Sequence, residues 1–390
     1  MKKKLIFVTE ALWIGGIETA LVNLLNRLDY DRYDVTCLIL RDCQEMAYLI
    51  TPRCRLLVSD RQHPVTFRES YRYRRMYNLM EEPQHASKLR RLTWRILRFL
   101  LRAPEARRYA TYVKKQLGGE HFDTAVIYSD RAAETAVRAV SADRILMFYH
   151  HGVMRREYHD ELGYHRAEKV IAVSEALAEK LKAYRPRYAG KIISVNNLID
   201  VAGVRERSLE TPETVFPKDC FHIVSCGRLS PAKGMDIAVA ACADLVRSGE
   251  TRVRWWIVGG GPEETALRAQ IHALGMEEYV TLLGMRDNPY PYIRQADLYV
   301  QPSRFEGYCG TVLEARLLTV PILATRNAAA EQITDGQTGL LCNAAASSIA
   351  RAAKRLMNDP ALRQRFRDAL SAHDFDRDNA AILEKLYTLL

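Results

Sequence analysis

The chain reads LYVQPSRFEGYCGTVLEA from Leu298 to Ala315. Its first four residues form a short, mainly apolar run that ends at a proline, which predicts a buried strand over residues 298–301. Two glycines then precede a helical pattern at residues 311–318. A strand followed by a turn and a helix is the unit of parallel α/β sheets, so this stretch predicts the α/β fold class.

The same alternation of short apolar runs and helical patterns continues in both directions along the chain. In the first half the predicted strands lie at residues 4–8, 35–40, 124–127, 145–148, 170–173 and 192–195. In the second half they lie at residues 221–225, 253–258, 280–282, 298–301, 321–324 and 339–342. The predicted helices include residues 16–28, 175–184, 235–247, 263–274 and 347–357. This order indicates βαβ units and parallel sheets with helices on both faces.

The length of 390 residues and the apolar fraction of 48% fit two domains better than a single core. Residues 201–219, a loop-like stretch with two prolines, divide the halves. We expect a Rossmann-like domain at residues 1–203, a linker at 204–219 and a second Rossmann-like domain at 220–370. A helix at residues 371–390 is a candidate to cross back to the first domain. Because ligands of such sheets bind beyond the carboxyl ends of the strands, the interdomain cleft is the expected site.

The charge of the chain is unevenly distributed. It carries 57 Lys and Arg against 47 Asp and Glu, a formal net charge of +10. Residues 61–115 alone hold 15 Lys and Arg against 4 Asp and Glu, so the rest of the chain is close to neutral. Because the basic charge is confined to one stretch, a general nucleic-acid coat is excluded.

Within that stretch, residues 86–102 form the clearest amphipathic helical pattern in the chain. One face carries the cations Lys88, Arg91, Arg95, Arg98 and Arg102. Two interpretations stay open: a helix that packs on the core with a solvated basic face, or a helix that docks on anionic lipid near a lipid-linked acceptor. Nucleic acid is not an expected partner, because no recognition module accompanies the charge.

The remaining bulk features concern the compartment. The start MKKKLIFVTE has only four consecutive apolar residues before Glu10, which predicts a strand and not a signal peptide. No stretch approaches 18 apolar residues without a charge, so no transmembrane helix is expected. The eight cysteines include no CxxC pair, which indicates reduced thiols. We expect a cytoplasmic protein, with residues 61–115 as a candidate surface for peripheral binding to the inner face of the membrane.

A first candidate motif, WIGGIET from Trp13, places Gly15 and Gly16 directly after the first predicted strand. Two glycines let the backbone approach a ligand closely, and the helix start offers unpaired N–H groups to an anion. The motif is not the GxGxxG fingerprint of dinucleotide sites. Alone it is equally compatible with a turn whose glycines only relieve crowding.

A second candidate motif, CGRLSPAKG from Cys226, follows another predicted strand. Arg228 and Lys233 are five residues apart in the predicted turn and can converge on a diphosphate, with Arg as a planar fork and Lys as a point charge. Taken alone, the same residues are equally compatible with two solvated surface cations.

The third motif lies in the opening stretch. Glu306 precedes the glycine-rich helix start, and Glu314 lies about two helical turns further on. Carboxylates suit vicinal sugar hydroxyls, because each oxygen accepts hydrogen bonds. Backbone N–H groups at Gly310 and Thr311 can meet phosphate oxygens. The alternative is a capped surface helix with Glu for solubility.

Taken in order, GGIE, GRLSPAKG and SRFEGYCGTVLEA resemble the retaining nucleotide-sugar glycosyltransferases of family 4, which belong to group 1 and have the GT-B fold. The resemblance extends from residue 1 to about residue 385. Its most specific part is the spacing ExxxxxxxE together with the two upstream cations. It implies two Rossmann-like domains that face each other across an interdomain cleft.

The resemblance also implies a role for each matching residue. Arg228 and Lys233 would bind the donor diphosphate. Glu306 would contact the donor sugar, Glu314 would bond the ribose hydroxyls, and backbone groups near Arg286 would face the nucleobase. The full set of residues implied to bind the donor is Gly15, Gly16, Arg228, Lys233, Arg286, Glu306, Gly307, Tyr308, Cys309, Gly310, Thr311 and Glu314.

In this family a histidine that ends a late strand of the first domain approaches the donor sugar. The sequence offers two candidates, His150 and His151. Spacing from the predicted strand favours His150, which then joins Arg228, Lys233 and Glu306 as a candidate catalytic residue. Either ring is also compatible with an ordinary histidine at the end of a strand.

Two strings match the DxD motif of metal-dependent glycosyltransferases, DYD at residues 29–31 and DFD at residues 374–376. Neither follows an apolar strand, where a metal–diphosphate site would be expected, so we interpret both as turn chemistry. We therefore expect no metal and no cofactor, with a UDP-sugar as the co-substrate.

The expected function is retaining, metal-independent glycosyl transfer in cell-envelope biosynthesis. The donor would be a nucleotide-diphospho-sugar, and the acceptor a polysaccharide, a lipid-linked oligosaccharide or a glycolipid. Two alternatives stay open: a nucleotide-sugar epimerase on the same scaffold, and a non-enzymatic membrane-associated binding protein.

Overall fold

The computed structural model of the chain describes residues 2–59, 107–154 and 161–390. The predicted basic helix at residues 86–102, and most of the basic stretch 61–115, lie outside the described residues. Among the described helices, none is both long enough and apolar enough to cross a bilayer.

The N-terminal domain contains seven parallel strands in the order β3-β2-β1-β4-β5-β6-β7. They are β1 (Lys3–Thr9), β2 (Tyr33–Ile39), β3 (Arg55–Val58), β4 (His121–Ile127), β5 (Ser141–Tyr149), β6 (Lys169–Ala172) and β7 (Ile192–Ser194). The described helices are α1 (Gly16–Arg27), α2 (residues 107–116), α3 (Ala133–Ala139), α4 (Glu161–Arg166), α5 (Glu175–Tyr184) and α6 (Val201–Arg207). Parallel strands that are covered on both faces need continuous apolar runs, and residues 5–8 of β1 are fully buried.

The C-terminal domain contains six parallel strands in the order β10-β9-β8-β11-β12-β13. They are β8 (Phe221–Cys226), β9 (Val253–Val258), β10 (Val280–Gly284), β11 (Leu298–Gln301), β12 (Ile322–Thr325) and β13 (Leu340–Cys342). The helices are α7 (Met235–Arg247), α8 (Glu264–Ala273), α9 (Tyr290–Arg294), α10 (Gly310–Leu317), α11 (Ala346–Asn358), α12 (Pro360–Ser371) and α13 (Phe375–Tyr387). The strand order reverses between β8 and β11, and a crevice opens beyond the carboxyl ends of strands at such a point.

The sequence predicted four elements to the residue, whereas strands β4 and β5 begin three and four residues earlier than predicted. Strands β9 and β11 and helices α5 and α7 have the predicted bounds. The predicted loop at residues 201–219 is wrong in its first part, because residues 201–207 form α6. Asp200 caps that helix by accepting a hydrogen bond from the Gly203 N–H at 3.3 Å, and Val201 and Val204 anchor it in the core. Strand β3 was not predicted, because it is a four-residue edge strand with no fully buried side chain.

The last helix, α13, packs against the N-terminal domain. The ring of Tyr387 stacks on Tyr33 with 5.8 Å between the centroids. The carboxamide of Asn379 accepts a hydrogen bond from the Ile199 N–H at 3.1 Å and donates one to the Ile199 carbonyl at 2.9 Å. Helix α13 thus follows the C-terminal domain in sequence but is fastened to the N-terminal one.

Candidate active site

The carboxyl ends of β8 and β11 lie side by side and bring the two C-terminal motifs together. The strands are hydrogen-bonded neighbours, with Leu298 paired with Ile223 and Tyr299 with Val224. The turn after β8 carries Arg228 and Lys233, and the turn after β11 carries Glu306. Lys233 and Glu306, 73 positions apart in sequence, therefore meet at the same edge of the sheet.

Lys233 and Glu306 form an ion pair at the centre of this edge. The Lys233 Nζ lies 2.8 Å from Oε1 and 2.9 Å from Oε2 of Glu306, whose side chain is only 6% exposed. The Ser303 hydroxyl donates to Oε1 at 2.6 Å, and the Gln301 amide nitrogen lies 3.4 Å from the same oxygen. Burial opposes the charged ammonium, but the Glu306 carboxylate outweighs it and raises the pKa of Lys233. Four contacts to the Glu306 carboxyl group therefore fix the pair in position.

Arg228, unlike Lys233, forms no ion pair within the part of the chain that the structure describes. Its side chain is exposed, and no described residue forms an ion pair or a hydrogen bond with it. An exposed cation in the turn after β8, with no ion pair to a described residue, is suited to an anionic ligand.

The turn between Glu306 and α10 has an unusual backbone conformation at Cys309, which has φ 77°. This left-handed conformation costs a residue with a side chain roughly 1 kcal/mol relative to glycine. The Cys309 thiol is buried and lies 3.3 Å from the Thr311 hydroxyl, and burial raises its pKa to about 12. The exposed Gly310 then begins α10, so the first N–H groups of that helix are open to a ligand.

Glu314 lies further along α10 and is poorly satisfied. Its Oε2 is buried without a hydrogen-bond partner in the part of the chain that the structure describes. Burial raises the pKa of Glu314 to about 7, against the opposing effects of the Arg207 charge and a hydrogen bond with Tyr290. A buried carboxyl oxygen with no protein partner is free to accept a hydrogen bond from a ligand.

In the N-terminal domain, Gly15 caps α1 and Gly16 begins it, as the sequence predicted. Gly15 is extended, and a side chain there would place its Cβ 2.6 Å from Oε2 of Glu18. The Glu18 carboxylate therefore occupies the space that a residue other than glycine would need. Burial raises the pKa of Glu18 to about 7, with Glu10 as a further contributor.

The two histidines that follow β5 have different environments. His150 packs on Tyr128, with 4.7 Å between ring centroids, and its Nε2 is buried without a partner among the described residues. Burial, together with the neighbouring His151, lowers the pKa of His150 to about 3. The Nε2 of His151 instead lies 3.0 Å from Oδ1 of the buried Asp130. Burial opposes a charged imidazolium there, but the Asp130 carboxylate outweighs it and raises the pKa of His151.

The two domains touch at these residues through their backbones. A Cβ on Gly152 would lie 2.4 Å from the carbonyl group of Glu306, and a Cβ on Gly307 would lie 2.1 Å from the His150 carbonyl oxygen. Both positions therefore require glycine. The contact places the histidine loop directly against the turn that carries Glu306.

The remaining predicted residues have ordinary structural partners. Arg286 follows β10 and pairs with Glu213 of the linker at 2.9 Å. The Tyr308 side chain is buried, and its carbonyl accepts a hydrogen bond from Gln332 at 2.5 Å. In the DYD string the Asp29 carboxylate accepts the Asp31 N–H at 2.9 Å. In the DFD string Asp374 caps α13.

Sequence reasoning missed the charged side chains that surround the histidines. Glu10 is buried and pairs with Arg131 at 3.4 Å and with Arg41 at 3.7 Å, close to Glu18 and Asp130. Glu10 directly follows β1, Arg41 lies two residues after β2, and Asp130 and Arg131 lie three and four residues after β4. Their position at strand ends was the available signal, since side chains there meet at one edge of the sheet.

Comparison with solved structures shows the fold class. The structure aligns with the Anabaena protein HepE in complex with UDP over 99% of this chain and 100% of that one, with a TM-score of 0.70 and 17% identity. It aligns with a glycosyltransferase from Rickettsia africae over 100% and 97% of the chains, with a TM-score of 0.72 and 16% identity. These likenesses confirm the predicted two-domain, Rossmann-like GT-B fold.

Comparison of sequences narrows the class for the C-terminal half. Residues 220–359 match the family model of glycosyl transferases group 1. The N-acetylgalactosamine-N,N'-diacetylbacillosaminyl-diphospho-undecaprenol 4-alpha-N-acetylgalactosaminyltransferase of Campylobacter jejuni is 28% identical over 208 residues, which are 53% of this chain and 55% of that protein. The chain spans about half the length of the curated relatives it matches. The C-terminal domain therefore matches group 1 glycosyl transferases, and the chain as a whole has the GT-B fold.

Proposed function

We propose that this chain is a retaining glycosyltransferase that takes a sugar from a nucleotide-diphospho-sugar, with UDP-sugars as the first donors to test. The observation that carries the proposal is the edge shared by β8 and β11. There an exposed Arg228, which has no anionic partner among the described residues, lies in the same turn as Lys233, which is fixed by the buried Glu306. Two cations and a carboxylate at one crevice suit a ligand that joins a diphosphate to a sugar.

The cations supply the electrostatic part of the proposed reaction. Negative charge develops on the phosphate that leaves the anomeric carbon, and positioned cations stabilise such charge at low cost in reorganisation. We assign this role to Arg228 and Lys233, which makes a metal ion unnecessary for charge neutralisation. The open N-terminus of α10 at Gly310 adds unpaired N–H groups on the same side.

The proposed bond changes take place on one face of the sugar. The acceptor oxygen forms a bond to the anomeric carbon while the bond from that carbon to the phosphate oxygen breaks. The acceptor proton passes to the departing phosphate oxygen, so the products are a glycoside of unchanged anomeric configuration and a nucleoside diphosphate. No side chain has to serve as a general base in this scheme.

The carboxylates are assigned to the hydroxyl groups of the donor. Glu314 has a buried oxygen without a partner among the described residues, which suits the ribose hydroxyls. Glu306 is held in position by Lys233 and Ser303, which suits the transferred sugar. His150 lies next to Gly307 and its Nε2 has no partner among the described residues, so it remains our candidate for contacting that sugar from the N-terminal domain.

The acceptor is proposed from the relatives and from the charge of the chain. The Campylobacter jejuni relative is named for an acceptor on diphospho-undecaprenol. The basic stretch 61–115 gives this chain a segment suited to an anionic lipid surface. We therefore propose a glycan or lipid-linked acceptor in the cell envelope and a cytoplasmic enzyme that works at the inner face of the membrane.

The test is a thermal-shift panel of UDP-, GDP-, ADP- and TDP-sugars, run with and without EDTA. A ligand that binds only the native state raises the melting temperature by mass action. We expect a shift with a UDP-sugar that EDTA leaves unchanged and that Arg228→Ala removes, whereas Arg268→Ala on the exposed face of α8 retains it. Transfer of labelled sugar to a lipid extract, followed by NMR of the anomeric proton, then decides the stereochemistry. Absence of a shift with all four donor classes contradicts the proposal, and an inverted product contradicts retention.

A further inference from the structure

The first turn of α5 belongs to the N-terminal domain, but it is linked by hydrogen bonds to the C-terminal domain. Ser174 precedes this helix and is fully buried at the boundary between the domains. Its hydroxyl accepts a hydrogen bond from the Leu177 N–H at 3.1 Å, which caps α5. The same hydroxyl donates to the Gly307 carbonyl at 2.6 Å. One side chain thus starts a helix in one domain and fixes the peptide that follows Glu306 in the other.

A residue of the C-terminal domain also caps the same helix. The carboxylate of Glu331 accepts hydrogen bonds from the backbone N–H groups of Glu175, at 3.0 Å, and of Ala176. Glu331 lies in the segment after β12, in the C-terminal domain. A carboxylate at the N-terminus of a helix is stabilised both by unpaired N–H groups and by the helix dipole. The capping of α5 is therefore shared between the domains.

The residue after Glu331 extends the connection to the same loop. The buried Gln332 donates from its amide nitrogen to the carbonyls of Tyr308, at 2.5 Å, and Cys309, at 3.1 Å. Ser174 holds the loop at Gly307, two residues before the left-handed Cys309. All three residues that separate Glu306 from α10 are thus held through their carbonyl groups, by side chains of both domains.

We infer that Ser174 and Glu331 are positioning residues that hold residues 306–310 against the first turn of α5 and so fix the orientation of Glu306. We call this set of bonds the α5 contact. Its importance for turnover rests on the proposed function, because that function assigns Glu306 to the donor sugar. That the α5 contact holds residues 306–310 in place does not rest on the proposed function, because its hydrogen bonds join protein groups alone.

The α5 contact can be tested on the full chain without any ligand, because the loop contains its own reporter. Cys309 is 7% exposed, so its alkylation by iodoacetamide reports how often residues 306–310 loosen. Cys242 in the core of the C-terminal domain is fully buried and reports global opening. Peptide mass spectrometry gives both rates from one sample.

The informative variants are Ser174→Gly and Glu331→Gln. Glycine is nearly as good a helix cap as serine but lacks the hydroxyl that bonds Gly307. Glutamine retains the shape of the exposed Glu331 side chain but removes its charge. The control Glu179→Gln changes an exposed carboxylate on the same helix. If Ser174→Gly does not fold, Glu331→Gln decides alone.

We expect both variants to alkylate Cys309 about tenfold faster, with Cys242 unchanged and with the control at the wild-type rate. An unchanged Cys309 rate, or rates that rise together at Cys309 and Cys242, would overturn the inference. With the donor that the thermal-shift panel identifies, kcat should fall about tenfold while KM changes little. Normal kcat with a faster Cys309 rate would refute the positioning role, whereas failure of every donor would refute only the proposed function.

Discussion

In the turn at residues 301–309 the Glu306 carboxylate is surrounded by donors, whereas in α10 the carboxylate of Glu314 has one buried oxygen with no described partner. Both residues are glutamates of a single strand–turn–helix unit. The first is paired with the Lys233 ammonium, and the second has a pKa that burial raises to about 7. Two glutamates eight residues apart therefore differ in environment. Glu306 is paired with Lys233, whereas the charge of Glu314 changes near pH 7.

The largest expected effect comes from removing Lys233, the cation that pairs with Glu306. Lys233→Ala leaves the nearly buried Glu306 carboxylate without its counter-ion, which we expect to lower the free energy of unfolding by about 3 kcal/mol. We also expect transfer to slow about 100-fold, because one cation of the leaving-group site is lost. Urea unfolding and donor turnover measure the two effects.

The double variant Lys233→Met with Glu306→Gln separates these two effects. Replacing both charges removes the uncompensated carboxylate, so stability should largely return while turnover stays low. Lys182→Ala, which removes an exposed ion pair with Glu179, is the control and should leave the urea midpoint nearly unchanged. A Lys233→Ala variant as stable as this control would contradict the buried-pair interpretation.

Arg228→Ala should separate activity from stability altogether. The Arg228 side chain is exposed and has no ion pair with any described residue, so its removal leaves no buried charge behind. We expect about 100-fold slower transfer with an unchanged urea midpoint. Arg268→Ala, on the exposed surface of α8, should change neither quantity. Full activity in Arg228→Ala would remove this residue from the site.

For the other glutamate of the comparison, Glu314→Gln should change how the stability of the protein depends on pH. The folded state raises the pKa of Glu314 from 4.5 to about 7, so it favours the protonated form. The stability that Glu314 contributes through this preference is fully present below pH 4.5 and is lost as the pH rises through about 7. The glutamine side chain of the variant does not titrate, so the stability of the variant relative to wild type should increase between pH 4.5 and 7.

The measurement is urea unfolding across this pH range, with Glu179→Gln as the matched carboxylate variant. Between pH 4.5 and pH 8, we expect the free energy of unfolding of Glu314→Gln to rise relative to that of wild type by about 1 to 3 kcal/mol. Each pKa unit corresponds to about 1.4 kcal/mol. A difference that stays constant with pH would show that Glu314 is an ordinary ionised carboxylate. Donor affinity of the wild-type protein should rise over the same range, because the ionised form accepts more hydrogen bonds from hydroxyls.

The sequence could predict what depends on continuous burial or on exact spacing. Strand β11 was predicted to the residue, because its four side chains are all buried. The same local pattern placed Glu306 before α10 and Glu314 within it. Helix α6 was missed because only Val201 and Val204 mark its buried side, among charged residues typical of a linker.

What the sequence could not predict depends on residues that meet only in the folded chain. Nothing in the order of residues indicates that Ser174 bonds Gly307 or that Glu331 caps a helix of the other domain. The choice between His150 and His151 likewise depends on Asp130, which pairs with one of them from a neighbouring strand end. Glu18 looks like an ordinary acidic residue in a first helical turn until its burial is known.

The smallest predicted effect concerns the two ends of α10, where non-glycine residues adopt left-handed conformations. Cys309 has φ 77° before the helix and Thr319 has φ 57° after it. Thr319 is β-branched and makes no contact assigned to the donor, so Thr319→Gly should relieve strain and raise stability by about 1 kcal/mol with turnover unchanged. Leu318→Gly is the control, because Leu318 has φ −82° and glycine should destabilise there. Equal destabilisation by both substitutions would show that Thr319 is held without strain, and lost turnover in Thr319→Gly would extend the site to the far end of α10.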